Sequence, residues 1–443
     1  MTDTVRTEAA NPPSFGEMFR VFGRIGLLSF GGPAGQIALM HRELVEARPW
    51  LDEARFLHAL NFCMLLPGPE AMQLATYSGW LLRGVAGGLL AGLLFVLPGF
   101  AVIVALSALY FHHGDLPVVA GLLFGLKAAV LAIVVEALVK VSERALKSWF
   151  AWGLAILAFV AIAFLTLPFP LIVLAAGLAG IVRSALGRKE GANADADTAA
   201  TKTVLPSLAG PTLRTILTWG TIWLAPLALM LVLPGIPDAF AAMALFFSKA
   251  AIVTFGGAYA VLAYVGQQAV EVHGWLRPGD MLAGLGLAET TPGPLILVLV
   301  FVGFLGGARE AGLDPTPGGI AGAAVALFFT FAPCFLWIFA GAPHIERLRS
   351  VAWLSAGLAA ITAAVVGVIA NLAVWFALNV LFAEVGTLQA GILTLPVPDA
   401  SSLNVAALVI ALGAGIALLR YRLNLFWVLG GATLAGVAFT LSG

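Results

Sequence analysis

One local pattern occurs twice in this chain at a constant offset of 225 residues. Ser29-Phe30-Gly31-Gly32 returns as Thr254-Phe255-Gly256-Gly257, Trp50-Leu51 as Trp275-Leu276, and Pro67-Gly68-Pro69 as Pro292-Gly293-Pro294. Arg24 returns as Lys249, cation for cation. One offset held across 45 positions is too regular for coincident glycines. The chain is therefore two copies of one unit, each with helix-breaking residues at matched places.

Composition identifies the solvent around that unit. Of 443 residues, 61% are hydrophobic and 10% charged, whereas a soluble domain carries about 25% charge. The chain reads as a membrane protein, and its 50 glycines and 24 prolines suit helices packed in lipid. A formal net charge of zero offers no basic surface to nucleic acid. Cys63 and Cys334 lie in separate apolar stretches and read as small buried hydrophobes. No phosphate-binding loop, cofactor fingerprint or metal-ligand spacing is present in the sequence, so neither cofactor nor metal nor catalytic residue is expected. Residues 1–14 are polar and read as a short cytoplasmic tail.

Stretches long and apolar enough for a bilayer fall at 17–40, 56–80, 86–110, 117–139, 149–166 and 168–184, then at 213–234, then at 240–265, 280–306, 318–342, 351–382, 402–419 and 424–442. The pattern is six, one, six. It divides the chain into a first repeat at 1–186, a flexible cytoplasmic linker at 187–212, an unpaired connecting span at 213–234 and a second repeat at 235–443. Six segments plus one invert the second unit relative to the first. The expected fold is an all-α polytopic membrane protein of two inverted-topology repeats with broken or re-entrant helices. Charge supports an inside N-terminus: Arg83, Lys140, Arg144, Lys147 and Arg214 fall in cytoplasmic loops, and 385–400 holds no lysine or arginine. The stretch 41–55 strains that rule with Arg42, Arg48 and Arg55, unless the first hairpin is re-entrant.

The polar residues inside these stretches are the candidate site. Gly31-Gly32-Pro33 cannot carry a regular helix, and backbone groups freed there need a neighbour or a ligand. Freed N–H groups at a helix start suit an anion, with Ser29 and Gln36 beside them. Thr254, Gly256 and Gly257 repeat the arrangement. Close packing through small residues is the alternative. Arg24 and Lys249 each precede the hydroxyl residue by five positions, in an apolar run where a charge is costly and usually functional. Inverted repeats could aim both at one dianion; snorkelling to headgroups is the competing use.

Pro67-Gly68-Pro69 and Pro292-Gly293-Pro294 break the second segment of each unit, flanked by Asn61, Glu70 and Gln73 in the first and by Glu289 and Thr291 in the second. Glu70 follows its break at a helix start, whereas Glu289 precedes its break at a helix end. A carboxylate in apolar surroundings is a natural proton carrier, which makes Glu289 the first candidate for proton coupling and Glu70 the second. A salt bridge to Arg24 or Lys249 is the alternative. Lys127 and Glu136 have uncharged counterparts near Ala359 and Val368, so any role they play belongs to one half.

Phe22-Gly23-Arg24-Ile25-Gly26 with Ser29-Phe30-Gly31-Gly32-Pro33, then Pro67-Gly68-Pro69 and the second-half set, resembles the chromate ion transporters in their long, two-domain form. The resemblance implies a multi-pass protein of the bacterial inner membrane that moves chromate outward, with sulfate as competitor and protons as the driving partner. Where Pro33 becomes Ala258 and Gln36 becomes Val261 the second half departs from the pattern, so the first half is expected to contribute more to the site. Three readings follow: a secondary active exporter of the tetrahedral dianion, an uptake transporter for sulfate or another oxyanion, and an anion channel on the same architecture. Membrane lipid surrounds the chain in each, and a homodimer is one assembly open to it.

Overall fold

The computed structural model describes residues 12–30, 32–190, 209–255, 258–344, 352–391 and 393–442. Gly31, Gly256 and Gly257, and most of the expected linker, lie outside the described residues. The architecture is almost wholly helical.

Helix α1 (Phe15–Leu28) opens on a Ser14–Glu17 capping box and stops at Ser29. Its 14 residues rise about 21 Å, short of a hydrocarbon core of about 30 Å. Helix α2 (Gly32–His41) then runs back alongside it. Arg24 Nη1 lies 3.7 Å from Glu43 Oε1, a contact that a helix continuing through the break could not make. Helix α3 (Glu53–Cys63) and the first limb of α4 (Glu70–His113) form a second hairpin, with the Phe62 and Tyr77 rings 5.6 Å apart. Non-helical Arg83 and Gly84 end that limb, and residues 85–113 turn back across the fold.

Helices α5 (Pro117–Ala145), α6 (Trp149–Ala163), α7 (Phe169–Glu190) and α8 (Ala209–Val232) follow. The second half repeats the plan. Helices α9 (Asp238–Val253) and α10 (Ala258–Gln267) fold on each other, with Phe246 and Tyr264 5.6 Å apart. Helices α11 (Pro278–Thr290) and α12 (Val298–Glu310) do the same, with Arg309 Nη1 2.7 Å from Asp280 Oδ2. Helices α13 (Pro315–Gly341), α14 (Ala352–Leu381), α15 (Val405–Gly415) and α16 (Leu425–Ser442) complete the chain. An antiparallel ribbon, β1 (Val385–Ala390) with β2 (Leu393–Pro398), sits between α14 and α15 in register Val385 to Pro398. It anchors to the α6–α7 turn where Thr394 N–H donates to the Phe164 carbonyl at 2.9 Å.

Four apolar stretches that would suffice for spans are thus re-entrant hairpins: 17–40, 56–80, 240–265 and 280–306. The two pairs of hairpins open on opposite faces. Arg83 donates to the Pro13 and Pro12 carbonyls at 2.9 and 3.1 Å, which puts the second hairpin's mouth beside the start of α1. At the far end of α4, Tyr110 donates to Asp280 at 2.6 Å and His112 meets Thr316 at 2.9 Å, which puts the mouths of the second-half hairpins on the other face. Seven helices among the described residues are long and apolar enough to cross a membrane. Re-entry also relieves the charge strain. Arg42, Arg48 and Arg55 share the N-terminal face with Arg83 and Arg144, and the positive-inside bias marks that face as cytoplasmic.

A histidine clasps the mouth of the first hairpin. His41 lies 2.7 Å from Glu53 and 3.1 Å from Glu46. The Glu53 carboxylate, chiefly, holds its ring above the ordinary histidine range. A raised folded value means the clasp is fully present below the unfolded value of about 6.5 and is lost as pH climbs through the higher folded one. The protection factor over 41–53, with exchange corrected for its intrinsic pH dependence, is expected to be higher at acidic than at alkaline pH, and His41→Gln should remove that difference. A cysteine replacing exposed Ala47 is expected to react with a membrane-impermeant maleimide from the face that labels one at Lys147; labelling from the face of Gln389 would contradict re-entry.

Candidate functional site

All four hairpin tips converge. The Gly293 N–H donates to the Ser29 carbonyl at 2.8 Å, and the Gly68 N–H donates to the Thr254 carbonyl at 2.7 Å. Each half's first break is therefore closed by the other half's second break. Proline dictates which groups are free: Pro67, Pro69, Pro292 and Pro294 have no N–H, so each glycine between them carries the donor of its tip. Both glycines need the left-handed region, with φ of 117° at Gly68 and 97° at Gly293. The second limb of α4 passes so close that a Cβ at Gly99 would collide with the Pro292 carbonyl.

Two glutamines lock this junction. Gln36 Nε2 donates to the Gly293 carbonyl at 2.6 Å, and Gln73 Nε2 donates to the Pro67 carbonyl at 2.7 Å. These partners are acceptors only, which fixes the amide orientation. The Oε1 atoms of both glutamines are buried and have no hydrogen-bond partner among the described residues. Two matched orphan acceptors at one level are costly in a scaffold.

The hydroxyls behave differently from the donors expected of them. Ser29 Oγ gives its proton to the Ile25 carbonyl at 2.6 Å, Thr254 Oγ1 to Ala250 at 2.5 Å and Thr291 Oγ1 to Leu287 at 2.7 Å. Donors for an anion at this level are the tip amides. Gly32 and Pro33 begin α2, partly buried, and Pro69, Pro292 and Pro294 are buried at the tips. Asn61 is exposed on α3.

The two cations are not brought together. Each sits five residues from its break, about 7.5 Å along the helix, towards opposite faces. Arg24 is 57% exposed and shares the buried Glu43 with Arg48, whose Nη1 lies 2.5 Å from it. Lys249 is exposed on α9. Glu70 is the first residue of α4 and partly buried. Glu289 is buried near the end of α11 and accepts a 2.6 Å hydrogen bond from Tyr259. Tyr259 and Glu43 were not singled out from the sequence. Neither has a like counterpart 225 residues away, since Ala34 and Gln268 stand there, so the repeat carries no signal for them.

A family profile described as chromate transporter matches residues 16–181 and 241–437. The chain belongs to the chromate transporter family. A chromate transport protein of Pseudomonas aeruginosa is 34% identical over 82% of this chain and 81% of its own length. One from Cupriavidus metallidurans is 28% identical over 80% of each. The uncharacterized transporter YwrB of Bacillus subtilis is 34% identical over 152 residues, 34% of this chain but 76% of its own length. No solved structure matches.

Gly68→Ala and Gly293→Ala are each expected to cost about 1–3 kcal/mol at the strained backbone and to abolish transport. Gln36→Leu should leave the Gly293 carbonyl unpaired and lower stability by a similar ~1–3 kcal/mol. Thermal unfolding of the purified variants measures both.

Proposed function

We propose that the protein exports chromate across the bacterial inner membrane by secondary active transport coupled to protons. The observation that carries this reading is the reciprocal junction. Two opposed halves meet through one backbone hydrogen bond per tip pair. Parting either pair frees a glycine N–H at the level where the cavity would open, and a freed N–H at a broken helix suits an oxyanion. Arg24 lies on the cytoplasmic side of the junction and Lys249 on the other, so each draws a dianion from its own side. The relatives named as chromate transport proteins supply the substrate.

Glu289 is the proton carrier in this scheme. It is buried beside the Thr291 tip, and its partner is a neutral hydroxyl rather than a cation. Proton exchange there changes the charge next to the tip by one unit, which is the differential interaction that alternation needs. Sulfate matches chromate in charge and shape, and uptake of sulfate by the same machinery is the second reading.

Labelled chromate offered to inverted vesicles tests both. Uptake is expected to saturate, to be driven by an acidic lumen and to be inhibited by sulfate. Glu289→Gln is expected to lose the response to the pH gradient, and Tyr259→Phe to slow uptake by about tenfold through loss of a hydrogen bond to a charged group. Accumulation that follows voltage alone and survives Glu289→Gln would establish a channel instead.

A further inference from the structure

Lys127 has no role in the junction, yet it sits where a lysine is hard to place. It lies in α5 among Leu126, Ala128 and Ala129, all buried. It makes no ion pair or hydrogen bond with the described residues. Its Nζ lies 3.2 Å from where a Cβ on Gly279 would stand, against the first turn of α11. A helix N-terminus favours anions and disfavours an ammonium. Lys127 lines a cavity of about 650 Å3 on the face opposite the N-terminus, which Arg277, Arg309, Asp280 and Asp115 also line.

Asp280 attracts Lys127 through space, but no acid among the described residues forms an ion pair with it. Asp280 is buried and already accepts from Tyr110 at 2.6 Å, from the Arg277 N–H at 2.7 Å and from Arg309 at 2.7 Å. Arg309 also donates to the Trp275 carbonyl at 2.8 Å, which fixes that pair as structure. Asp115 is exposed on the α4–α5 turn. With the Asp280–Arg309 pair set aside, what remains is net positive: the Lys127 ammonium and the Arg277 guanidinium against the one exposed Asp115, with the start of α11 beside them.

We propose that this cavity is an oxyanion site on the outer face, with Lys127 as its recognition cation and Arg277 as its second. It takes a small tetrahedral dianion. This deepens the transport reading and rests on it for the identity of the anion. The same α11 that begins at the cavity ends in Glu289 and Thr290 beside the junction tip, 13 residues or about 20 Å away. The outer site is then the last stop of an exported anion, or the first of an imported one. A lipid phosphate offers the same chemistry. The polar lining and the solvent-exposed Arg277 on the rim favour the free ion.

The test uses the full-length protein in phosphatidylcholine nanodiscs with radiolabelled sulfate and chromate, and oriented proteoliposomes for transport from each face. Lys127→Gln is expected to raise the half-saturation concentration for anion offered at the outer face by about tenfold or more, and to leave the cytoplasmic-face value within about twofold. Lys127→Arg should restore most of the loss, and Arg277→Gln should reproduce part of it. If the wild-type protein transports and Lys127→Gln moves neither value, the site is overturned and the transport reading stands. If the wild-type protein moves no oxyanion, the transport reading falls, and nanodisc binding decides the site: sulfate bound and lost in Lys127→Gln supports it, no bound sulfate overturns it. Phosphatidylglycerol that stays with the wild-type protein but not with Lys127→Gln, and that displaces sulfate, would assign the cavity to lipid and overturn the free-ion site.

Discussion

A broken helix in hydrocarbon leaves backbone groups that water cannot reach, and this structure answers that constraint by making its four breaks satisfy one another. Gly293 bonds to Ser29 and Gly68 to Thr254. Neither half can close its own tips. The pairing joins the two halves through one backbone hydrogen bond per pair, each worth about 1 kcal/mol net, and through the Gln36 amide on the Gly293 carbonyl. The surrounding apolar packing, including Phe22, Phe62, Phe95 and Phe301, is nearly complete. A junction held by a few hydrogen bonds is suited to two alternating arrangements.

The glutamines refine that balance. Gln36 and Gln73 hold tip carbonyls through their amide nitrogens and leave their oxygens without a partner among the described residues. An unpaired buried acceptor destabilises the closed junction and welcomes any donor that enters it. Glu289, paired with the Tyr259 hydroxyl, adds a charge that a proton can cancel. Arg24 and Lys249 stand back from the junction on either side, and the groups at the tips are backbone dipoles flanked by the Glu70 and Glu289 carboxyls. In the proposed scheme a dianion meets backbone dipoles there rather than a paired cation, and is bound loosely enough to leave.

Much of this was legible in the sequence. The offset of 225 residues located every break, and the prolines showed which amides would be free donors. Composition gave the membrane and the helical class. Hydrophobicity could not show that 17–40, 56–80, 240–265 and 280–306 turn back, because a crossing helix and a folded-back pair present the same apolar run. Only Arg42, Arg48 and Arg55, awkward in an outer loop, hinted at it. The partner of each tip was also hidden: pairing Ser29 with Gly293 rather than with its repeat mate Thr254 follows from the three-dimensional inversion of the halves. The back-bonding of Ser29, Thr254 and Thr291 to carbonyls four residues earlier is local geometry that spacing does not reveal. The ribbon at 385–398, apolar and short, read as loop.

The most direct measurement is a cryo-electron microscopy map of the full-length protein in nanodiscs, at a resolution that traces the backbone through residues 29–32, 67–69, 254–257 and 292–294. The expected result is four interrupted helices at one level, with Gly293 against Ser29 and Gly68 against Thr254. Continuous helices carrying residues 29–32 and 254–257 through to the far face would contradict it.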